Sequence, residues 1–272
     1  MRVFRKKRLY AALLIFQFIY VIQSVDAARY RDSCKSVIFS DSTKIRRLYG
    51  KRVHERVIPA STTKVMTALL VMERLDLDSY VTVSHNATLP QPSKIYVKAG
   101  EQYKVRDLLY AILLKSANDA AVVLAEAVSG SHWKFVQQMN QKAKEINAHH
   151  TRFANAHGLP SKEKQYTTAY DMYLIFRQAM KYPFFREAIK VKYKDIRTRG
   201  GRVVQLKSHN KMLFFDWKRP VYGKTGYTHA AGACFVGTIQ KGNSTLIMAL
   251  FHCKNRWEDI KSIVSIYGGI SL

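Results

Sequence analysis

Ser61 and Lys64 are the residues whose types and spacing most directly suggest chemistry. Because they stand three positions apart, a helix would place both side chains on one face. The stretch from Val65 to Leu75 is apolar around nearly the whole circumference of such a helix, which predicts burial. Burial disfavours an ammonium and lowers the pKa of a lysine, and an uncharged amine near a hydroxyl can accept its proton. The pair therefore predicts a serine nucleophile with a lysine base, at a helix start whose N–H groups favour negative charge.

The Ser-x-x-Lys spacing alone does not show that the pair is catalytic. It occurs four times in the chain, starting at Ser61, Ser131, Ser161 and Ser208, and only the first copy opens an apolar helix. The structural alternative is a helix-capping serine with a lysine that reaches solvent, and the pair by itself favours that alternative.

Two further polar segments interrupt apolar surroundings. Ser116-Ala117-Asn118 breaks a helical, apolar stretch, where capping of a helix is the simple structural explanation. Lys224-Thr225-Gly226 occurs once and leads into an apolar hairpin, so it either forms a surface turn or begins an edge strand that can pair with an extended peptide. The order Ser-x-x-Lys, Ser-x-Asn, Lys-Thr-Gly carries more information than any one segment.

Strand-like stretches stand at both ends of the chain, and helical stretches lie between them. The predicted strands cover residues 36–40, 46–49, 192–197, 202–206, 233–240 and 244–251, with a strand beginning near 224. The predicted helices cover residues 61–75, 105–128 with a break at 116–119, 133–146, 172–181 and 257–267. This order predicts an α+β domain in which an antiparallel sheet joins both termini and a helical subdomain is inserted.

The first 27 residues are typical of an export signal. A basic start, an apolar run from Leu9 to Ile22 and small residues before position 27 match a signal peptide, which leaves residues 28–272 as the mature domain. The run is short for a transmembrane helix, although an uncleaved segment would anchor the protein to the membrane. We therefore expect an exported protein, in the periplasm or at the cell surface.

The charge is strongly basic, with 45 Lys and Arg against 19 Asp and Glu and a formal net charge of +26. Behind an export signal, anionic envelope polymers are better-suited partners than nucleic acid, and such attraction is weakened by salt. A non-catalytic basic binding protein of the envelope is the second functional hypothesis.

Three cysteines, Cys34, Cys234 and Cys253, do not form a disulfide framework, and no metal site or cofactor is expected from their spacing or from the histidines. A bridge between Cys234 and Cys253 is conceivable because they fall on neighbouring predicted strands. The sequence favours the other interpretation, two small buried apolar side chains.

The ordered segments resemble those of the serine-type D-alanyl-D-alanine carboxypeptidases, the low-molecular-mass penicillin-binding proteins. The resemblance spans about residues 35–268 and extends beyond the short motifs. It rests on residues 59–68 (PASTTKVMTA), 108–121 (LLYAILLKSANDAA), 157–159 (HGL) and 223–228 (GKTGYT).

The resemblance implies a penicillin-binding or β-lactamase-like transpeptidase fold that removes the terminal D-Ala from peptidoglycan stem peptides and is inhibited by β-lactams. Catalysis is implied for Ser61, Lys64 and Ser116. Substrate binding is implied for Asn118, Lys224, Thr225, Gly226, Tyr227 and Arg256, with the backbone N–H groups of Ser61 and Tyr227 as the oxyanion hole. We expect a monomer.

The sequence departs from the pattern of related proteins in two respects. No Glu-x-x-Leu-Asn segment, which class A β-lactamases use for deacylation, lies between Asn118 and Lys224, so rapid β-lactam hydrolysis is not expected. Many relatives also add a second, β-rich domain after the catalytic one, and none is expected here. A D,D-endopeptidase that cuts peptide crosslinks would use the same residues, so the motifs leave that alternative open.

Overall fold

The computed structural model describes residues 30–272. The predicted signal peptide, residues 1–27, lies outside the described residues. Among residues 30–272, no helix combines the length and the apolar character needed to cross a bilayer.

Nine strands and seven α-helices make up the described part of the chain. The strands are β1 (Ser36–Asp41), β2 (Arg46–Lys51), β3 (Tyr80–Thr82), β4 (Gln102–Lys104), β5 (Tyr193–Arg197), β6 (Val203–Lys207), β7 (Tyr222–Thr228), β8 (Gly232–Lys241) and β9 (Ser244–Cys253). The α-helices are α1 (Lys64–Arg74), α2 (Val105–Tyr110), α3 (Asn118–Ser129), α4 (His132–Glu145), α5 (Ala169–Ala179), α6 (Pro183–Ala188) and α7 (Arg256–Gly268).

Most predicted elements are confirmed within a few residues. The short pair β3 and β4 and the helix α6 were not predicted. Strands of three residues carry too little alternation to be recognised. Pro183, which follows the predicted helix 172–181, is the first residue of α6, a position that proline favours.

The main sheet has five antiparallel strands in the order β2-β1-β9-β8-β7. Its centre pairs β1 with β9, with Val37 opposite Leu250 and Phe39 opposite Met248. The predicted sheet that joins both ends of the described chain is therefore confirmed. Strand β7 has a neighbour on one side only, so its other edge is free to accept an extended ligand.

Alternation along the central strands buries both faces of this sheet. Val37 and Phe39 point into a core that includes Ile260, Ile263 and other residues of α7. Ile38, between them in sequence, points into the opposite and larger core, which α1, α3 and α5 share. Helices on both faces therefore hold the strands rigid, and the site described below is built on these elements.

The bridge between Cys234 and Cys253 that the sequence had left open does not form. Cys253 is bonded to Cys34 instead, and Cys234 is a buried free thiol. The reason is the register of β8 and β9, which shifts between Ala233 and Phe235. Cys234 faces the larger core, whereas Cys34 and Cys253 both face the core beneath α7.

The bridge ties the start of the described chain to its last strand. Close by, the buried Asp259 of α7 accepts hydrogen bonds from the Ser33 backbone N–H (2.9 Å) and from Tyr30 Oη (2.8 Å). The segment before β1 is thus attached to the far end of the sequence by a covalent bond and by hydrogen bonds.

Loss of the Cys34–Cys253 bond should lower the free energy of unfolding by roughly 3–5 kcal/mol, because a link across 219 positions restricts the unfolded chain strongly. Urea unfolding of the wild type, with and without reductant, measures this difference. Cys253→Ala should match the reduced wild type, and Cys234→Ala should keep the response to reductant. An unfolding midpoint that reductant leaves unchanged would contradict the assignment.

Candidate active site

Ser61 lies in a short 3₁₀ turn, Ala60–Thr63, that leads directly into α1. The turn is tight: Ala60 has a positive φ of 47°, and the backbone N–H of Thr62 donates to the carbonyl of Pro59 (3.2 Å). Ser61 is half-buried and faces the cleft, whereas Lys64 is fully buried. The predicted proximity of the pair is confirmed, because Lys64 Nζ lies 3.1 Å from Ser61 Oγ.

Three oxygen atoms surround the amine of Lys64. Besides Ser61 Oγ, they are Asn118 Oδ1 at 2.6 Å and the carbonyl oxygen of His157 at 2.7 Å. The orientation of the Asn118 amide is determined, because its Nδ2 donates to the carbonyl of Gln91 (2.7 Å) and its oxygen must therefore face the lysine. Two of the three neighbours of Nζ can only accept hydrogen bonds.

This coordination suits an uncharged amine that acts as a base. A neutral –NH₂ group has two N–H donors, which the oxygens of Asn118 and His157 take, and its lone pair is left for the Ser61 hydroxyl. Burial lowers the pKa of Lys64 well below its ordinary value, and the nearby positive charge of Lys224 adds to that effect, against the opposing influence of Asp119. The serine can then donate its proton to Lys64.

The predicted break at Ser116 is confirmed. The helix α2 continues as a π-helical turn, Ala111–Lys115, and Ser116 ends it with a positive φ of 61°, after which α3 begins at Asn118. This left-handed residue redirects the chain, so that the hydroxyl of Ser116 lines the cleft and the amide of Asn118 reaches Lys64. Functional sites often hold such sparsely populated backbone conformations.

Lys224 reaches Ser116 from β7. Its Nζ donates to Ser116 Oγ (2.9 Å) and to the carbonyl of Thr225 (2.8 Å), and its side chain is buried. Burial lowers the pKa of Lys224 to about 7, helped by the charge of Arg256. The site thus holds two buried lysines whose pKa values are lowered.

The Lys-Thr-Gly segment is confirmed as part of an edge strand and runs beside the nucleophile. A Cβ placed on Gly226 would lie 3.2 Å from the carbonyl oxygen of Pro59 and from the backbone nitrogen of Ser61. A side chain at this position would force the turn or the strand to shift by a few tenths of an ångström, so glycine suits the close approach of β7. Tyr227, the next residue, is exposed at the cleft, and Thr225 lines it.

Arg256 begins α7 and reaches back to β7. Its Nη1 donates to the carbonyl oxygens of Gly226 (3.0 Å) and Cys234 (2.6 Å), and its guanidinium lies 4.2 Å from the Trp257 ring centroid. Burial lowers the pKa of Arg256 to about 10, which leaves the side chain charged at neutral pH. It lines the cleft together with five other predicted site residues: Ser61, Ser116, Thr225, Gly226 and Tyr227. The remaining three, Lys64, Asn118 and Lys224, are buried behind the lining and are joined to it by hydrogen bonds.

The cleft has a volume of about 860 Å³. Nine lining residues were not predicted to belong to the site: Pro92, Ser93, Lys115, Lys207, Ser208, His209, Lys211, Phe214 and Phe215. Ser208 and Lys211 belong to a Ser-x-x-Lys copy that opens no apolar helix, and the others carry no motif of their own. Among residues 30–272, one triad of possible metal ligands exists, Cys34, Cys253 and Asp259, and the disulfide consumes both of its thiols.

Asp119 supports the wall of the cleft. Its buried carboxylate accepts hydrogen bonds from the backbone N–H groups of Ile95 (3.1 Å) and Val97 (3.2 Å). This fixes the loop in which the Ser93 carbonyl accepts a hydrogen bond from the Asn118 N–H (2.8 Å). Asp119 belongs to the segment 108–121 on which the resemblance rests, but its position after Asn118 gave no indication of this function.

The backbone that holds Lys64 depends on Gly158. This glycine has a φ of 85°, and a Cβ there would lie 1.8 Å from the carbonyl oxygen of Ala60 in the nucleophile turn. Asn155 Oδ1 accepts from the Gly158 N–H (2.6 Å) and keeps this bend next to the His157 carbonyl. The His-Gly-Leu segment thus positions both members of the serine–lysine pair.

Gly158→Ala should therefore disrupt the site. We expect it to abolish acylation of Ser61 and to reduce stability by several kcal/mol, because the new methyl group would displace the turn. Gly201→Ala is the matched control: its φ is similar (89°) but no atom lies within 4 Å of the added Cβ. It should cost about 1 kcal/mol and keep acylation. Similar behaviour of the two variants would refute this role of Gly158.

Lys224 should make stability depend on pH. Its folded pKa is about 7 and its ordinary value is 10.5, so between these values the unfolded chain binds a proton that the folded chain does not. The free energy of unfolding contributed by Lys224 therefore rises with pH in this window.

Urea unfolding at pH 7 and pH 10 tests this dependence. The free energy of unfolding of the wild type should rise, relative to that of Lys224→Met, as the pH rises. Lys211→Met, which changes an exposed lysine, should follow the wild type. A pH dependence of Lys224→Met equal to that of the wild type would show that Lys224 does not titrate there.

Known proteins are similar to this chain in sequence and in fold. A family model described as D-alanyl-D-alanine carboxypeptidase, peptidase family S11, matches residues 23–255. D-alanyl-D-alanine carboxypeptidase DacF of Bacillus subtilis is 35% identical over 223 residues, which cover 80% of this chain and 57% of that protein. D-alanyl-D-alanine carboxypeptidase DacB2 of Mycobacterium tuberculosis is 35% identical over 195 residues, 71% of this chain and 66% of the relative. The chain thus spans about three fifths of the length of these curated relatives.

A solved structure confirms the predicted fold. The crystal structure of a D-alanyl-D-alanine carboxypeptidase from Mycobacterium tuberculosis superimposes with a TM-score of 0.83 at 28% identity, covering 89% of this chain and 93% of that one. With the family match extending over residues 23–255, the chain belongs to the D-alanyl-D-alanine carboxypeptidase family of serine peptidases.

Proposed function

We propose that the protein is a serine D-alanyl-D-alanine carboxypeptidase that removes the terminal D-Ala from peptidoglycan stem peptides through an acyl-enzyme. The observation that carries this proposal is the buried amine of Lys64, whose two acceptor neighbours leave its lone pair for Ser61 Oγ at 3.1 Å. Family membership and the 860 Å³ cleft beside this pair support the substrate class.

In the first step, Ser61 Oγ attacks the carbonyl carbon of the penultimate D-Ala while Lys64 takes the serine proton. The oxygen of the tetrahedral intermediate lies against the backbone N–H groups of Ser61 and Tyr227, and each such donor is worth roughly 3–4 kcal/mol in acyl transfer. Ser116 relays the proton that Lys64 took from Ser61 to the leaving amine, and free D-Ala departs. Water then hydrolyses the ester between Ser61 and the peptide.

Binding of the substrate uses the free edge of β7. The peptide lies along Thr225 and Tyr227 as an additional strand. Asn118 Nδ2 has two N–H groups, one of which donates to the Gln91 carbonyl, and the other hydrogen-bonds the substrate amide. Thr225 and Arg256 bind the terminal carboxylate, and Lys224 adds positive potential through its contact with Ser116. β-Lactams present the same acyl group and carboxylate, so they acylate Ser61.

We also propose an extracytoplasmic location, with residues 1–27 as the signal peptide and residues 28–272 as one catalytic domain. The disulfide between Cys34 and Cys253 supports export, because such bonds persist in oxidising compartments.

Labelling with a fluorescent penicillin tests the chemistry. The wild type should form a covalent adduct on Ser61, which mass spectrometry of the intact protein and of its peptides locates. Ser61→Ala should form none, and Lys64→Met should be acylated roughly 10²–10⁴ times more slowly because the base is lost. Ser208→Ala is the matched control, since Ser208 also lines the cleft and also begins a Ser-x-x-Lys sequence. Labelling that persists in Ser61→Ala would overturn the proposal.

The bond that is cleaved requires a second measurement. Purified protein incubated with stem pentapeptide should release D-Ala, whereas cleavage of crosslinked dimers alone would establish a D,D-endopeptidase. Both reactions use the same serine and lysine, so only the choice of substrate would change.

A further inference from the structure

We propose that the cleft selects stem peptides that carry a second carboxylate on the acyl side of the cleaved bond, and that Lys207 and Lys211, with Lys115, bind this carboxylate. The inference rests on the proposed function and extends it from the reaction to the choice of substrate. It concerns the part of the cleft beyond Ser116, here called the lysine rim and formed by these three lysines.

The lining of the cleft is unbalanced in charge. Among the residues described, four cationic side chains line it, Lys115, Lys207, Lys211 and Arg256, and no aspartate or glutamate does. The terminal carboxylate of the substrate, bound by Thr225 and Arg256, compensates the positive charge of Arg256. The charges of the lysine rim are left without a counterpart.

The rim lysines also lack acidic partners elsewhere. Within residues 30–272, ten ion pairs neutralise other basic side chains, such as Lys142 with Glu73 (2.7 Å), and none of them includes a lysine of the rim. Lys207 Nζ lies near two aromatic rings, 5.4 Å from the Phe214 centroid and 5.9 Å from the Tyr193 centroid. Unpaired cations facing one cavity attract an anion into it.

The backbone that carries the rim is fixed in place. The N–H of His209 donates to the carbonyl of Leu114 (2.9 Å), which joins the segment after β6 to the turn that bears Lys115. The buried Asn210 donates from Nδ2 to the Val221 carbonyl (2.9 Å) and accepts from the Met212 N–H (3.1 Å). The three lysines therefore line the cleft from anchored stretches of backbone.

The chemistry of the ligand follows from its place in the substrate. With the terminal D-Ala at Thr225, the residues that precede the cleaved bond extend along the cleft toward its remaining walls. Stem peptides carry carboxylates on this side, one on the second residue and, in some peptides, one on the side chain of the third. Phe214 and Phe215, which also line the cleft, offer apolar surface to the aliphatic part of a long third side chain.

Three synthetic pentapeptides test the proposal. The first has free carboxylates on its second residue and on the side chain of a dicarboxylic diamino acid in third position. The other two have one or the other carboxylate converted to the carboxamide. The measured quantity is kcat/KM for release of D-Ala, and we expect at least one amidation to lower it about tenfold, less so as salt is raised.

Two double variants separate the rim from the general charge of the protein. Lys207→Gln with Lys211→Gln should bring the ratio of the free to the amidated peptide close to one. Lys162→Gln with Lys164→Gln removes the same charge from exposed positions that do not line the cleft, and should leave the ratio unchanged. The identity of the sensitive amidation shows which of the two carboxylates the rim binds.

Three results would overturn this inference. Equal kcat/KM for all three peptides would show that no acyl-side carboxylate is recognised. A preference that survives in the Lys207 and Lys211 variant would place the recognition elsewhere, and a preference lost equally in the Lys162 and Lys164 variant would assign it to the overall field. Failure of the wild type to react with penicillin or to release D-Ala from any peptide would instead refute the proposed function, and this inference with it.

Discussion

The site depends on the placement of one amine, that of Lys64, where water cannot reach it and where two carbonyl oxygens take its hydrogens. In water this group would hold a proton and could not act as a base. The apolar helix α1 supplies the desolvation, the break before α3 supplies Asn118, and the bend at Gly158 supplies the His157 carbonyl. Three distant parts of the chain are therefore required to give a single nitrogen its chemical character.

Such an arrangement opposes the stability of the fold. Two lysines, at positions 64 and 224, are buried, and each lowered pKa expresses a cost of burying the cation. The remainder of the domain offsets this cost through a sheet that is covered by helices on both faces. Close approach of backbone to backbone, at Gly158 and Gly226, then fixes the distances that the chemistry needs.

The sequence allowed the chemistry and the broad architecture to be predicted, because both leave local signals. An apolar helix after Ser61, a polar interruption at Ser116 and alternation in the last strands are all visible in short windows. The contacts that complete the site are not visible in short stretches of sequence. The His157 oxygen on Lys64 and the lysine rim come from segments far apart in sequence that tertiary structure brings together, and no periodicity marks them.

The sequence correctly favoured the absence of a bond between Cys234 and Cys253, but the Cys34–Cys253 bond was not predicted, for a similar reason. The two that lie on adjacent strands face opposite cores, because a register shift near Ala233 lies between them. A bulge of this kind leaves no reliable mark in the amino-acid pattern. The partner of Cys253 is therefore a residue that precedes the first strand.

The pairing of β1 with β9 has a consequence for biogenesis. The central strand of the sheet finds its neighbour about 200 positions later, with Phe39 opposite Met248, and β7 must be in place before Lys224 can meet Ser116. While the chain emerges from the ribosome, the serine and its base can be present without the strand that binds the substrate. Long-range pairing of this kind is slow and comes late in folding. The site is therefore complete only once the final strand has been made and has docked.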